Sequence, residues 1–256
     1  MITFLFQKKF SILLSTFMVS LAYGSQGSNT TSYKSQKGQD KYLNENFFKN
    51  KQGGFFVEFG AYDGVYLSNS YFFEKELNWN GICAEPIPEI YKKLRANRKC
   101  ICVEGAVYNH SGFEEFKHFS GGPDPAFASE MYSGIVSKLH PKHVAKVEHH
   151  KKGRYGRTET IYKVKTYLLN DLLKEYGISY VDYLSIDTEG GEYEILQSID
   201  FEKYYIYIIG VENNYNDTPI RKFMAESGYK FVTRLGKDDI YVNTRTYEKN
   251  LSKSVL

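Results

Sequence analysis

A chain of 256 residues with 42% hydrophobic and 16% aromatic content can bury one substantial core, so one catalytic-sized domain and a leader are expected. The formal net charge of +3 is too small for nucleic-acid binding by overall charge, and no nucleic-acid partner is expected. An odd count of 3 cysteines argues against a secreted domain built on disulfides.

The first 24 residues stand apart from that domain. Lys8 and Lys9 precede Phe10 to Tyr23, 14 residues without charge, and Ala22 and Gly24 are small residues at an A-x-G cleavage site. As a helix the run would span roughly 21 Å at ~1.5 Å per residue, short of a ~30 Å hydrocarbon core. A signal peptide therefore fits better than a membrane span; retention as a membrane tether through residues 10–23 is the other outcome. Residues 25–35 are small, polar and turn-rich and read as a linker. Asp40 to Asn50 places Tyr42, Leu43, Phe47 and Phe48 at near-helical spacing, which predicts an amphipathic helix with its aromatics in the core.

Phe55 to Gly64 reads FFVEFGAYDG, a buried strand that runs into glycines, with a helix predicted over Leu67 to Leu77. At the carboxyl edge of an α/β sheet such a turn presents backbone amides to a ligand. The order Glu58-x-Gly60-x-x-x-Gly64, with Tyr62 between the glycines, is not the G-x-G-x-x-G of dinucleotide folds. It resembles the first motif of the class I S-adenosylmethionine methyltransferases. A tight strand-to-helix turn with no ligand would use the same glycines.

Beyond it, Ile82 to Ala84 reads as a strand ending at Glu85-Pro86, Ile87 to Arg98 as a helix, and Cys100 to Val103 as a strand ending near Glu104-Gly105-Ala106. This alternation predicts parallel strands with crossover helices. Glu85 then sits beside the glycine turn, where a carboxylate can accept two hydrogen bonds from ribose hydroxyls. A solvated strand-end acid and a nicotinamide site are compatible with the same position.

Between His110 and Thr158 the regular pattern breaks, and an insertion is expected over about 120–158. Phe113 to Phe119 adds a strand, and all 6 histidines lie in this part of the chain. From Lys138 to Arg157 there are 7 lysines or arginines against the single acid Glu148. The run reads as a solvated basic face, or as a lid whose basic groups hold an anionic acceptor. A metal site through His140-x-x-His143 is disfavoured, because no cysteine or acid stands nearby to complete a ligand set.

Thr160 to Thr166 alternates as a strand, and Leu168 to Tyr176 forms a helix stopped by Gly177. In VDYLSIDTEGGEYEIL (Val181 to Leu196) a buried strand delivers Asp187 and Glu189 to the same sheet edge, with Glu192 in the first turn of the next helix. The helix dipole accounts for Glu192 and Glu194, and less well for Asp187, which still belongs to the strand terminus. Tyr204 to Val211 is a strong β run ending at Glu212-Asn213-Asn214, and Pro219 to Ser227 is helical. Tyr229 to Arg234 and Ile240 to Asn243 form a closing hairpin, and residues 247–256 form a tail.

VEFGAYDGVYLSNSYFFEKELNWNGICAEP, VDYLSIDTEGGEYEIL and IIGVENN together resemble the FkbM-type methyltransferases over roughly Gln36 to Thr244. The resemblance implies a Rossmann-like α/β fold with a seven-stranded, mostly parallel sheet, an antiparallel last strand and helices on both faces. It also implies methyl transfer from S-adenosylmethionine, typically to an oxygen of a sugar, glycan or other small hydroxyl compound. Glu58, Gly60, Ala61, Asp63 and Gly64 form the implied cofactor turn, with Ser68 and Asn69 in the same motif, Glu85 on the ribose and Ala106 beside the adenine.

In-line displacement needs an aligned nucleophilic oxygen and a route for its proton. Asp187, Glu189 and Glu212 are the expected catalytic acids. Asp187, Glu212 and Asn213 would suit Mg²⁺, in a set that resembles the metal site of catechol-type O-methyltransferases with Glu in place of Asp at 212. A metal-free base, Asp187 or Glu189, is the other option. Cys83, Cys100 and Cys102 fall in core strands and are expected as buried thiols, although one bridge between Cys83 and Cys102 stays open. Because the cofactor is made inside cells, a catalytic domain facing the cytosol is expected, with export as the alternative. A non-catalytic binding module on the same fold, favoured by the leader, and a nicotinamide oxidoreductase, opposed by the glycine spacing, are the competing functions.

Overall fold

The computed structural model describes residues 32–121, 129–145, 158–216 and 218–245. The leader, most of the linker, the basic run 146–157 and the tail lie outside the described residues. Three strands open the domain, β1 (Phe55–Phe59), β2 (Asn80–Glu85) and β3 (Ile101–Glu104). Between them and the closing strands stand β4 (Ala106–Tyr108), β5 (Gly112–Ser120), β6 (Gly134–Ile135) and β7 (Thr158–Leu168), so the interruption of the main sheet is wider than the 120–158 insertion expected from the sequence. Four more strands close the domain, β8 (Tyr180–Ile186), β9 (Tyr205–Glu212), β10 (Tyr229–Leu235) and β11 (Asp238–Asn243).

The main sheet has 7 strands in the order β10-β11-β9-β8-β1-β2-β3. β1 pairs in parallel with both β2 and β8, and β8 pairs in parallel with β9. β11 is antiparallel to its neighbours β9 and β10. The order reverses between β1 and β8, and ligands of open α/β sheets bind at the carboxyl ends of the strands at such a point. A second sheet of 4 strands, β4-β7-β5-β6, is built on the long antiparallel pairing of β5 with β7.

Helices α1 (Gln39–Leu43), α2 (Tyr71–Leu77), α3 (Pro88–Asn97), α4 (Leu169–Glu175), α5 (Glu192–Gln197) and α6 (Thr218–Glu226) cover the main sheet. The period of two in a strand divides its residues between two cores. Val57, Phe59, Leu184 and Ile186 face a core shared with α3, α4, α5 and α6, and Phe116, Ile135 and Val164 of the second sheet join it. Phe56, Cys83 and Tyr183 face the other core, with Leu43, Phe48, Phe73 and Leu77. Each aliphatic side chain fully removed from water contributes about 1.5–3 kcal/mol, so both faces hold the strand ends in place.

The expected helix from Leu67 starts four residues later, at Tyr71. Leu67 takes φ 56, and the stretch after it wraps Glu58 instead of winding. The Ser68 and Ser70 hydroxyls and the Asn69 N–H all donate to the Glu58 carboxylate, at 2.9, 2.5 and 2.6 Å. The strand read at Thr160 to Thr166 lies within β7, in the second sheet. Packing begins before the expected end of the linker: Asp40 is wholly buried and accepts from the Lys34 and Ser35 amides at 2.7 and 3.1 Å. Asp40 to Asn50 is part α-helix and part π-turn, with Leu43 and Phe48 in the core as expected. All 3 cysteines are free thiols, so the open Cys83–Cys102 bridge is not formed.

Candidate active site

The site grows from the turn after β1. Gly60 takes φ 69, and a Cβ there would run into the Asp187 carbonyl oxygen, so β1 and β8 end in direct contact only because position 60 has no side chain. The Ala61 N–H donates to the Ala84 carbonyl at 3.1 Å, which ties the turn to β2. Glu85, 4% exposed, ends β2 and accepts from the Tyr62 and Ile87 amides at 3.1 and 2.8 Å. Burial outweighs those bonds and pushes its carboxyl up to about 7.

At the end of β8, Asp187 meets Glu212 from β9. Carboxylate oxygens of Asp187, Glu189 and Glu212 lie within 4.8 Å of one another. Burial, then Asp238 and Glu192, raise Asp187 to about 7. Burial, then Asp187, Glu189 and Glu192, hold Glu212 well above the usual carboxylate range. The Asn214 amide donates to Glu212 at 2.5 Å and the Lys237 ammonium stands 3.8 Å away. Glu192 faces its own turn, where the Thr188 and Gly190 amides donate to it at 3.2 and 2.8 Å.

Two chambers meet at this edge. One, about 90 Å³, is lined by Tyr62, Glu85, Ile87, Ala106, Phe116 and Ile135. The other, about 440 Å³, is lined by Gln36, Lys37, Tyr66, Asn69, Glu212 and Lys237, among others. Gly60, Tyr62, Met131, Asp187 and Glu189 border both. The insertion roofs the edge. His143 places Nε2 2.8 Å from the Tyr132 carbonyl oxygen and Nδ1 3.4 Å from Glu189 Oε2, Lys138 donates to Glu194 at 2.6 Å, and His140 stacks on Tyr215.

Gly60, Ala61, Glu85, Ala106, Asp187, Glu189 and Glu212 are therefore brought to the chambers. Glu58, Ser68 and Asn69 also border the larger one, with Glu58 held by the hydroxyls beneath it. Asp63 and Gly64 are placed elsewhere: Asp63 accepts from the Val65 and Tyr66 amides at 2.9 and 2.7 Å, and Gly64 packs on Leu94 and Arg98. Asn213 is outside the carboxylate cluster, since its amide donates to Asp239 at 2.9 Å and Glu189 completes the set. The sequence shows no acid near His140-x-x-His143, and the fold supplies one to His143 from Glu189, far along the chain. Gln36, Lys37, Tyr66 and Lys237 carried no motif, and only the fold collects them.

The strand order and a glycine turn between paired strand ends define a class I methyltransferase fold. Residues 58–231 match the methyltransferase FkbM domain. The chain belongs to the FkbM methyltransferase family. Among curated proteins no sequence matches it. Solved structures similar to it include a methyltransferase from Pyrococcus furiosus (11% identity, 79% of this chain and 80% of that one, TM-score 0.37). The N-terminal domain of human METTL16 in complex with SAH (10%, 80% and 65%, TM-score 0.39) is another. A third is precorrin-6y C5,15-methyltransferase from Geobacter metallireducens GS-15 (13%, 83% and 89%, TM-score 0.38).

The residues present fit S-adenosylmethionine, the cofactor that the sequence resemblance implies. Glu85 borders a small chamber with apolar Ile87, Ala106, Phe116 and Ile135, suited to a ribose and a purine. Asn69 Oδ1, on a side chain 7% exposed beside the larger chamber, is a buried acceptor with no hydrogen-bond partner. A polar atom in that state is normally satisfied, so a donor from a ligand suits it.

Proposed function

We propose that the enzyme methylates a hydroxyl oxygen on a small polyhydroxylated acceptor such as a sugar or glycan unit. The observation that carries this reading is the clustering of Asp187, Glu189 and Glu212 on the larger chamber, where Asp187 and Glu189 also border the smaller one. S-adenosylmethionine supplies the transferable methyl group when bound. Gly60, Ala61, Asn69, Glu85 and Ala106 would hold it. Asp187, raised toward neutrality, is placed to accept the hydroxyl proton as the oxygen attacks, because a base works best with its pKa near the working pH. Met131 and Tyr132 line the same chamber as the acids and add apolar surface beside the reacting groups.

The same three acids suit a hard divalent cation: their repulsion is what a cation would relieve, and Asp187, Glu189 and Glu212 would hold Mg²⁺. Bound there, it would lower the acceptor's hydroxyl pKa. The test is transfer of labelled methyl from S-adenosylmethionine to a panel of sugars, with and without EDTA. Label in an alkali-stable ether supports the reading, and label on nitrogen or on no acceptor sinks it. Activity unchanged in EDTA removes the cation and leaves Asp187 as the base.

We also place the catalytic domain on the cytosolic side, tethered through residues 10–23 where that segment is retained. Support comes from the 3 free thiols, which suit a reducing compartment. Among the described residues no helix is long and apolar enough to cross a membrane. Protease protection of the domain in sealed vesicles decides the side.

A further inference from the structure

The segment before α1 lies along the larger chamber, and its placement is over-determined. Asp40 gathers the Lys34 and Ser35 amides, the Gln39 amide donates to Asp238 at 2.7 Å, and Ser35 bridges to Leu67. Tyr33 packs on Phe72 with ring centroids 4.1 Å apart. The bridge is parallel, so it carries Gln36 toward Ser68, and the Lys37 stem lies over Gly236, next to Lys237.

Gln36, Lys37 and Tyr66 all line the chamber. Among the described residues Lys37 has no carboxylate within ion-pair reach, whereas Lys237 has Glu212 at 3.8 Å and Glu58 has Arg98 at 3.7 Å. An ammonium, an amide and a phenol that line one chamber are hydrogen-bond donors suited to an anionic acceptor. Within the same chamber, buried Asn69 Oδ1 is an acceptor awaiting a donor.

We propose that Gln36, Lys37 and Tyr66 form a carboxylate subsite in the larger chamber. The segment before the first helix thus contributes directly to ligand recognition. Charge-assisted bonds from Lys37 to a carboxylate are about twice as strong as neutral ones, so Lys37 dominates the subsite. The carboxylate has two possible sources: the aminoacyl end of the cofactor, whose ammonium would meet Asn69 Oδ1, or an acidic group on the acceptor. Only the first source rests on the methyl-transfer reading.

The test is calorimetric binding to the full chain, using pairs that differ in the carboxylate. S-adenosylhomocysteine is compared with its decarboxylated analogue, and D-glucuronate with D-glucose, on the wild type, Lys37→Met and the exposed control Lys174→Met. The expected result is that the acid of one pair binds the wild type and the control at least about tenfold tighter, and that Lys37→Met loses this preference. Preference in the first pair makes the carboxylate the cofactor's, and preference in the second makes it the acceptor's. Preference in neither pair, or one that survives in Lys37→Met, overturns the subsite. Failure of both nucleosides to bind the wild type overturns the methyl-transfer reading instead, and the sugar pair still decides the subsite.

Discussion

Gly60 and Asp187 touch backbone to backbone: the Asp187 carbonyl oxygen occupies the space where a side chain at position 60 would begin. This contact joins the ends of β1 and β8 and seats the candidate active-site edge. Gly60→Ala would combine left-handed strain with a collision against backbone that cannot swing aside, a loss of about 3 kcal/mol. In a domain of this size that lowers Tm by roughly 6–12 °C and removes S-adenosylhomocysteine binding. Gly38→Ala is the comparator, since φ is 76 there but nothing lies within 4 Å, and it should cost about 1 kcal/mol. Equal losses in calorimetry would refute the contact's importance.

Beneath the same turn, Arg98 is enclosed by acceptors. Its guanidinium donates to Glu74 at 2.7 Å, to the Gly64 carbonyl and Ser70 hydroxyl at 2.9 Å each, and stands 3.7 Å from Glu58. Removing one partner of a buried pair leaves an uncompensated charge and costs about 3–5 kcal/mol. Arg98→Met should therefore destabilise by that amount, and adding Glu58→Gln should restore part of it. A double variant no more stable than Arg98→Met would show that Glu58 is not what Arg98 balances.

The strand ends were legible in the sequence and the contacts between them were not. Tyr204 to Val211 is so rich in β-branched and aromatic residues that its strand, and Glu212 at its end, follow from local preference. Asp187 and Glu85 were legible for the same reason, since a strand that stops at an acid in an alternating α/β chain has one edge to put it on. Ser68, Asn69 and Ser70 read as the start of a helix because nothing local reveals a buried Glu58 that needs their donors. The pairing of β5 with β7, and of His143 with Glu189, joins residues across a long insertion, and local propensity carries no record of such partners.

Cofactor affinity should depend on pH through Glu85. Burial raises its carboxyl to about 7, so near neutrality the group is half protonated, and only the ionised form accepts from both ribose hydroxyls. S-adenosylhomocysteine should bind more tightly as pH rises from 6 to 8, by up to about tenfold, and level off above that. Glu85→Gln should bind more weakly with no such slope. The unliganded fold responds in the opposite sense: the folded pKa lies above the unfolded one, so this group's contribution declines as pH rises from about 4.5 to 7. A calorimetric pH profile identical in wild type and Glu85→Gln would remove Glu85 from the ribose.

Glu212 should trade stability for turnover. Burial and the neighbouring Asp187, Glu189 and Glu192 raise its carboxyl well above the ordinary value, so ionising it within the fold is costly. Below the ordinary carboxylate range, folded and unfolded chains both carry the proton and no penalty exists. As pH rises, the unfolded chain gives up its proton while the fold retains it, so wild-type stability falls. Glu212→Gln removes that loss, and its advantage in Tm should be small at pH 5 and several degrees at pH 8, with EDTA present to keep cations from the cluster. Methyl transfer should fall by roughly 10²–10⁴-fold while S-adenosylhomocysteine binding stays within a few-fold, because the role proposed for Glu212 is on the acceptor side. A variant that loses stability at pH 8, or loses nucleoside binding along with activity, would make Glu212 a structural residue of β9 and leave Asp187 and Glu189 as the working acids.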